Sequence, residues 1–316
     1  MIPLKSSLER DFPPKDRYLI GLSGGRDSVA LLDCLVQRGY ENLIVCHLNH
    51  QLQGRAGNVT AKFVAGLAKE RKLPSEIGSS NVRALAKKGG KSIELAARDA
   101  RYEFFAKIAR RRKCNTIFLA HHADDLVETL LINLFRGTGL AGLAGMREVS
   151  ERSINGVTLT IVRPLLGIWR RDIDDYVKGQ KLEYRDDATN RDLEPLRNRL
   201  RLRALPYLER TLGRNIRQSL WRTAQIAAEE EALLDGLLPA GAKNDGPLDL
   251  KQLRKSGVAL QRRTLREWLR EQGISNVGFE VVERVRALVD VENGLAKTNL
   301  PGNRHARRRV GKLFIE

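Results

Sequence analysis

The sequence has few cysteines and no long apolar run. Its three cysteines, Cys34, Cys46 and Cys114, form no Cys-x-x-Cys pair and lie in or beside apolar segments. We therefore expect small buried thiols and no metal-ligating or redox centre. No apolar run approaches the roughly 18 residues of a membrane span. The N-terminal residues also lack the apolar core of a signal peptide, so we expect a cytoplasmic protein without a membrane partner.

Acidic residues are too few to balance the basic ones. The 316 residues include 56 Lys and Arg against 38 Asp and Glu, which gives a net charge of +18. Part of the excess is local, because between Pro195 and Arg222 eight arginines face a single acid, Glu209, a balance of +7. A solvated helix face is one explanation. A polyanion partner is favoured, and the phosphate backbone of a nucleic acid fits it.

The first half of the chain alternates apolar strands with helical patterns. Strands are predicted at 18–22, 42–50, 76–78, 116–120 and 157–162, and helices at 28–36, 60–72, 92–112, 124–135 and 170–181. This alternation predicts an α/β fold with a parallel sheet and helices on both faces. The pattern then becomes mainly helical, with a terminal hairpin. We predict two domains, an α/β domain over 1–205 and a smaller helical domain over 206–316.

A glycine-rich turn joins the first strand to the first helix. Residues 23–28 read Ser-Gly-Gly-Arg-Asp-Ser. Such a turn is an anion site, because free N–H groups and the helix dipole point at one place. The Lys-Ser/Thr ending of the other common phosphate loop is absent, and Asp27 requires a metal or a basic group beside the phosphate. The turn predicts ATP with Mg²⁺, although an ordinary N-capped turn is the simpler alternative.

Other polar groups follow the predicted strands, where ligands of parallel sheets bind. They are Asn49 and His50 at the end of the second strand, and His121 after the fourth. His121 suits a proton carrier or a phosphate donor, or has a structural role. Arg101 suits bidentate phosphate binding, or an ion pair with Glu94 or Glu128.

Two carboxylates near the start of one predicted helix are spaced to act together. Asp125 and Glu128 are three residues apart and therefore share one helix face. Facing a cleft, they could hold an ammonium group. The alternative is a pair of solvated acids that the helix dipole favours.

These strings carry a family resemblance. Residues 23–28 resemble the signature of the N-type ATP pyrophosphatases, the PP-loop enzymes. In order and spacing, five further strings resemble bacterial tRNA(Ile)-lysidine synthetases: 92–102, 121–129, 136–139, 163–166, and Asp187 with Asn190 and 197–201. The resemblance covers residues 16–210 well and is looser beyond them. The helical remainder looks like the short form of that family.

The resemblance implies an adenine nucleotide alpha hydrolase-like fold and a two-step reaction on a CAU-anticodon isoleucine tRNA. The 2-carbonyl oxygen of the wobble cytidine attacks the α-phosphate of ATP, and pyrophosphate leaves. The side-chain amine of free L-lysine then attacks the activated ring carbon, and AMP departs. The domain over 206–316 is then expected to bind tRNA, and Mg²⁺ is expected with ATP.

The resemblance also implies roles for particular residues. The expected ATP-binding residues are Ser23, Gly24, Gly25, Arg26, Asp27, Ser28, Asn49 and His50. The expected catalytic residues are Asp27, Arg101 and His121. Asp125 and Glu128 are expected to bind lysine, and Arg197, Arg199 and Arg201 to bind tRNA. Residues 53–60 lack the acids usual in the family, so we expect a loop without a binding role that is disordered before substrate binds.

Three alternatives stay open at this point. A PP-loop tRNA thiolase is disfavoured, because many carry Cys-x-x-Cys pairs or catalytic cysteines. An NAD or GMP synthetase is disfavoured by the charge of +18. An inactive RNA-binding module is disfavoured by the presence of Asp27, Asp125 and Glu128.

Overall fold

The computed structural model describes residues 2–5, 7–185, 196–239, 242, 244–290 and 294–316. Asp187 and Asn190 of the fifth family string lie outside the described residues. The chain divides into two compact units, residues 1–228 and residues 229–316. Within the described residues, no helix is both long and apolar enough to cross a membrane.

Six described strands form the sheet of the first unit. They are β1 (Tyr18–Gly21), β2 (Leu43–Asn49), β3 (Ser75–Ser79), β4 (Thr116–Phe118), β5 (Val149–Ile154) and β6 (Val157–Val162). Their order is β3-β2-β1-β4-β6-β5. All neighbours are parallel except β5, which pairs antiparallel with β6 at the edge. The predicted α/β fold with a parallel sheet is confirmed.

Helices surround this sheet and continue the chain beyond it. They are α1 (Ser7–Asp11), α2 (Arg26–Gln37), α3 (Arg55–Glu70), α4 (Val82–Gly89), α5 (Ile93–Arg112), α6 (Ala123–Phe135), α7 (Leu140–Leu143) and α8 (Arg170–Gly179). After the undescribed residues come α9 (Leu196–Arg199), a π-helical turn (Leu200–Ala204), α10 (Leu205–Leu212) and α11 (Ile216–Gly236).

The strands bury both of their faces, because successive side chains point to opposite sides of the sheet. Ile20 and Phe118 pack in one cluster with residues of α2 and α8. Leu19 and Ile117 pack on the opposite face with residues of α5. Helices therefore cover both faces, which leaves the strand ends as the place where polar groups converge.

Local signals set several helix ends. Ser92 caps α5, and its Oγ accepts a hydrogen bond from the N–H of Leu95 at 3.2 Å, as its sequence position predicts. The prediction of a disordered loop at 53–60 is wrong from Arg55 onwards, because α3 starts there. Gly57 lies in this first part of α3, where a Cβ would come within 2.6 Å of Asn49 Oδ1. Close packing on β2 therefore holds the segment in the helix.

The second unit combines helices with a small sheet. Its elements are β7 (Leu248–Asp249), α12 (Leu250–Lys255), α13 (Val258–Glu271), α14 (Phe279–Arg286), β8 (Lys297–Leu300), β9 (Arg304–Arg309) and β10 (Lys312–Ile315). The described strands form an antiparallel sheet in the order β7-β10-β9-β8. Its core includes Trp268 and Leu313. The sheet is larger than the terminal hairpin that the sequence predicts.

Candidate active site

The glycine-rich turn packs tightly between β1 and α2. Gly24 has φ of +85°, and a Cβ there would lie 2.8 Å from Thr60 Cγ2 on α3. The Ser28 hydroxyl donates to the carbonyl of Gly25 at 2.8 Å, and Ser23 Oγ accepts from the N–H of Gly25 at 3.2 Å. No described side chain caps the first turn of α2. The geometry is therefore that of an anion site at a helix N-terminus.

Asp27 lies at this helix start and faces the end of β4. Its Oδ2 is 3.8 Å from His122 Nε2, and its Oδ1 is 3.4 Å from Arg26 Nε. Arg26 also forms an ion pair with Asp174 on α8. The guanidinium of Arg26 is thus partly neutralised by two acids, although the sequence suggests a phosphate ligand there.

His122, to which the sequence analysis assigned no role, connects the turn with the acids of α6. It precedes α6, and its backbone N–H donates to Asp125 Oδ2 at 3.1 Å. Its buried ring lies 3.5 Å from Asp125 and 3.8 Å from Asp124. Its position next to His121 in one family string is the signal that could have found it.

Asp125 and Glu128 meet at one cation, as their spacing predicts. Arg201 of the π-helical turn lies with its Nε 2.6 Å from Glu128 Oε1, and with its Nη2 3.2 Å from Oε2 and 3.5 Å from Asp125 Oδ1. Burial raises the pKa of the fully buried Glu128, and Arg201 opposes that shift. Burial also favours neutral Asp125, yet its pKa is lowered because His122 and Arg201 face it. The pKa values of the two acids are therefore shifted in opposite directions, that of Glu128 upwards and that of Asp125 downwards.

The three arginines that the sequence assigns to tRNA differ in their surroundings. Arg201 contacts the carboxylate pair. Arg197 donates to Thr129 Oγ1 at 3.0 Å and lies 3.7 Å from Glu94 Oε1. Arg199 is exposed and makes no ion pair with any described residue. Within the described part of the chain, Arg199 is the only one of the three whose guanidinium forms no ion pair.

Asp124 is a further residue of this region to which the sequence analysis assigned no role. Its Oδ2 accepts from the backbone N–H of Arg170 at 3.0 Å, and its Oδ1 lies 3.1 Å from Arg217 Nη1. Burial lowers the pKa of Arg170, and nearby Arg201 and Arg26 lower it further. Asp124 therefore ties α6 to α8 and α11, a contact that no local pattern reveals.

Asn49 and His50 lie at the end of β2, and Arg101 of α5 lies near His50. Asn49 is buried, and its amide bonds to Asn58 and to the N–H of Gln51. Burial lowers the pKa of His50 to about 4, and Arg101 adds to the shift. No described carboxylate pairs with Arg101, because Glu94 lies near Arg197 and Glu128 binds Arg201. The ion pair expected as the alternative for Arg101 is absent among the described residues.

His121 is neutral in this setting. Burial lowers its pKa to about 3; Asp125 opposes the shift, while Arg163, Arg101 and Arg98 extend it. Burial lowers the pKa of Arg101 as well. The region beyond β4 is therefore rich in cationic groups, a property that suits a polyphosphate.

Acidification should destabilise the fold through these histidines. The folded chain resists protonation of His50 and His121 until about pH 4 and about pH 3, whereas an unfolded histidine takes up its proton near 6.5. Stability is therefore complete above pH 6.5 and falls as the pH drops from there, by up to about 1.4 kcal/mol per pH unit for each group. Urea unfolding of His50→Asn across this range should show a shallower pH dependence than the parent protein. An equal slope would contradict the assignment.

Comparisons with known proteins identify the family of this chain. Residues 4–208 match the PP-loop domain family, and residues 248–314 match the TilS substrate binding domain. A tRNA(Ile)-lysidine synthase from Thermosynechococcus vestitus is 36% identical over 303 residues, which cover 93% of this chain and 85% of the relative. The chain belongs to the tRNA(Ile)-lysidine synthase family. The resemblance seen in the sequence is confirmed.

Other members differ in length. The tRNA(Ile)-lysidine synthase from Geobacter sulfurreducens is 37% identical over 302 residues, which cover 92% of this chain but 63% of the relative. The fold is also similar to that of the U34-tRNA thiolase NcsA from Methanococcus maripaludis, with a TM-score of 0.53 and 18% identity over 67% of this chain and 72% of that one. The latter similarity concerns the fold alone.

Proposed function

We propose that this chain is a carbon–nitrogen ligase that joins free lysine to the wobble cytidine of a CAU-anticodon isoleucine tRNA. ATP adenylates the cytidine, and pyrophosphate and AMP are released in the two steps. One observation carries the proposal most directly. The ring of His122 lies 3.8 Å from Asp27 Oδ2 at the start of α2 and 3.5 Å from Asp125 Oδ2 on α6. This closeness supports a nucleotide site and an ammonium site side by side.

The turn at 23–28 would hold the phosphates of ATP through its N–H groups and two serine hydroxyls. Asp27 would hold Mg²⁺ together with phosphate oxygens, since Mg²⁺ commonly uses one or two protein carboxylates. The partly exposed carboxylate of Asp27 suits this, and no other described acid cluster offers a dedicated metal cage. The ion would neutralise charge on the leaving pyrophosphate. Asn49 and His50 would face the adenosine.

Asp125 and Glu128 would bind the lysine ammonium. Both acids already compensate Arg201, so an incoming lysine must share them with that guanidinium or displace it. A lysine amine must also lose its proton before it attacks the ring carbon, and the site therefore needs a nearby acceptor. Glu128 is the candidate, because burial raises its pKa, whereas the pKa of Asp125 is lowered and His121 with a pKa of about 3 is a weak base.

His121 and Arg101 would instead act on phosphate. A neutral imidazole donates one hydrogen bond, and a guanidinium offers a fork that matches phosphate oxygens. The Nε atom of Arg101 and the Nδ1 atom of His121 are buried without a partner among the described residues. Both therefore have bonding capacity left for a substrate.

We assign catalysis to residues 1–205 and tRNA binding mainly to residues 206–316. Arg197, Arg199 and Arg201 adjoin this boundary. Arg199 would touch RNA directly, whereas Arg197 and Arg201 would do so only by leaving their acids. A tRNA substrate implies a cytoplasmic location.

The alternatives receive less support. Burial raises the pKa of all three thiols, Cys34, Cys46 and Cys114, which disfavours the thiolate chemistry of a thiolase. An inactive module would not need a charged pair as deeply placed as Asp125 and Glu128.

The test is a reaction with an unmodified tRNA transcript. AMP should form from ATP only with lysine and the CAU-anticodon transcript together, and mass spectrometry of the digested RNA should show cytidine enlarged by one lysyl group. A matched transcript with a CAC anticodon serves as the control. AMP release without lysine, or an unmodified cytidine after AMP release, would contradict the proposal.

A further inference from the structure

An open groove of about 650 Å³ runs along the segment from α9 to α10. Its floor is apolar and includes Leu196, Leu202 and Tyr207, whose side chains are exposed by 40%, 46% and 62%. Three arginines also line it, namely Arg199, Arg203 and Arg210. Among the described lining residues none is acidic. Exposed apolar surface beside positive charge indicates a ligand that is flat, apolar on its faces and negatively charged at its edge.

Helical geometry separates these arginines from the neighbouring ones. Arg199, Arg203 and Arg210 follow one another at helical spacing and share an outward face. Arg197 and Arg201 alternate with them and turn toward Thr129 and Glu128. The outward arginines make no ion pair with any described residue, so their charge is available to a partner.

We propose that this groove binds single-stranded RNA next to the reacting nucleotide, with one base stacked on Tyr207 and the flanking phosphates on Arg199, Arg203 and Arg210. Single strands are recognised by aromatic side chains within a basic groove. The identity of the RNA rests on the proposed function. The chemistry of the groove does not depend on it.

The position of the groove supports an RNA strand as its occupant. The π-helical turn that supplies Arg203 to the groove also supplies Arg201 to the carboxylate pair. A strand lying in the groove is therefore close to the proposed lysine site. A second copy of this chain would bring further positive charge, since the chain carries +18, and the three arginines, which pair with no acid of the described chain, would repel it.

The experiment uses the full chain and an anticodon stem–loop RNA with 2-aminopurine at one unpaired position at a time. Binding should quench the fluorescence at one position through stacking. Tyr207→Leu should abolish that quenching and weaken binding by roughly 5- to 150-fold, whereas Tyr207→Trp should retain both. Quenching that persists in Tyr207→Leu would overturn the proposal.

The charges are tested separately by salt dependence. Replacing Arg199, Arg203 and Arg210 by glutamine should reduce the slope of log K against log salt by about 2 units, because each single-strand phosphate contact contributes roughly 0.7. The matched control replaces Lys107, Arg171 and Lys178, exposed cations on α5 and α8, and should leave the slope nearly unchanged. Equal slopes for the two triple variants would overturn the proposal.

Two further readouts distinguish the possible failures. Lysidine formation by the parent protein decides the proposed function independently, because it is measured without 2-aminopurine. Normal lysidine formation with unquenched RNA would overturn the groove assignment alone. A dimer in size-exclusion chromatography that Tyr207→Leu dissociates would assign the groove to a second copy and would also overturn it.

Discussion

Replacing Asp27 by asparagine should abolish AMP release while the melting temperature hardly changes. The carboxylate is partly exposed, and its contacts are long, 3.4 Å to Arg26 Nε and 3.8 Å to His122 Nε2, so folding depends on it little. At the anion-binding turn, however, the charge acts where the leaving pyrophosphate forms. Loss of one group that stabilises transition-state charge costs about 100-fold or more in kcat. Single-turnover assays of AMP release and thermal unfolding measure the two effects.

Asp33 on the same helix is the matched control. It is buried and accepts hydrogen bonds from Tyr176 at 2.7 Å and Gln37 at 2.9 Å, and it pairs with Arg71 at 2.6 Å. Asp33→Asn should therefore lower the free energy of unfolding by about 1.5–3 kcal/mol and leave AMP release per folded molecule nearly unchanged. If Asp27→Asn kept normal turnover, the turn would not be the nucleotide site.

Glu128→Gln should raise the KM for lysine by about 10- to 150-fold with little change in ATP affinity. The substitution keeps the shape of the side chain and a hydrogen-bond acceptor but removes the charge. A charge-assisted hydrogen bond is worth about 1.5–3 kcal/mol, which sets the expected range. Steady-state kinetics with lysine varied, together with ATP binding by calorimetry, separate the two substrates.

Two further variants guard against a trivial explanation. Asp125→Asn should raise the same KM, because both acids face Arg201. Glu70→Gln, at the exposed end of α3, should change neither constant. Thermal unfolding shows whether Glu128→Gln is folded. If it is not folded, the KM for lysine of Asp125→Asn tests the assignment instead. If the affinities for ATP and for lysine weakened to the same extent, the two acids would maintain the structure of the site and would not bind lysine specifically.

The fold follows from local patterns wherever those patterns are strong. Apolar runs such as 42–50 predict buried strands, and Ser92 predicts the start of α5. The edge strand β5 was not predicted, because Val149–Ile154 is polar and half exposed, and only its pairing with β6 makes it a strand. The start of α3 was also missed, since packing of Gly57 against Asn49 is a tertiary contact.

The candidate site was predictable in its residue types more than in its connections. The turn at 23–28 and the spacing of Asp125 and Glu128 pointed to an anion site and a cation site. The partner of the acids, Arg201, lies 73 positions beyond Glu128 in the sequence. A composition that favours RNA contacts gave no sign that one arginine of the cluster is held by the buried Glu128 and the half-buried Asp125 instead.

The π-helical turn at Leu200–Ala204 makes the length of this segment as important as its sequence. A π turn holds one residue more than an α turn, and one residue of an α-helix corresponds to about 100° of rotation. Loss of a single residue here would leave both flanking helices intact. It would rotate α10 relative to α9 by about 100°. Tyr207 and Arg210 would then no longer lie on the same face as Arg199, while Arg197 would stay near Thr129. Single-residue length changes should therefore be tolerated less in this segment than substitutions at its exposed positions.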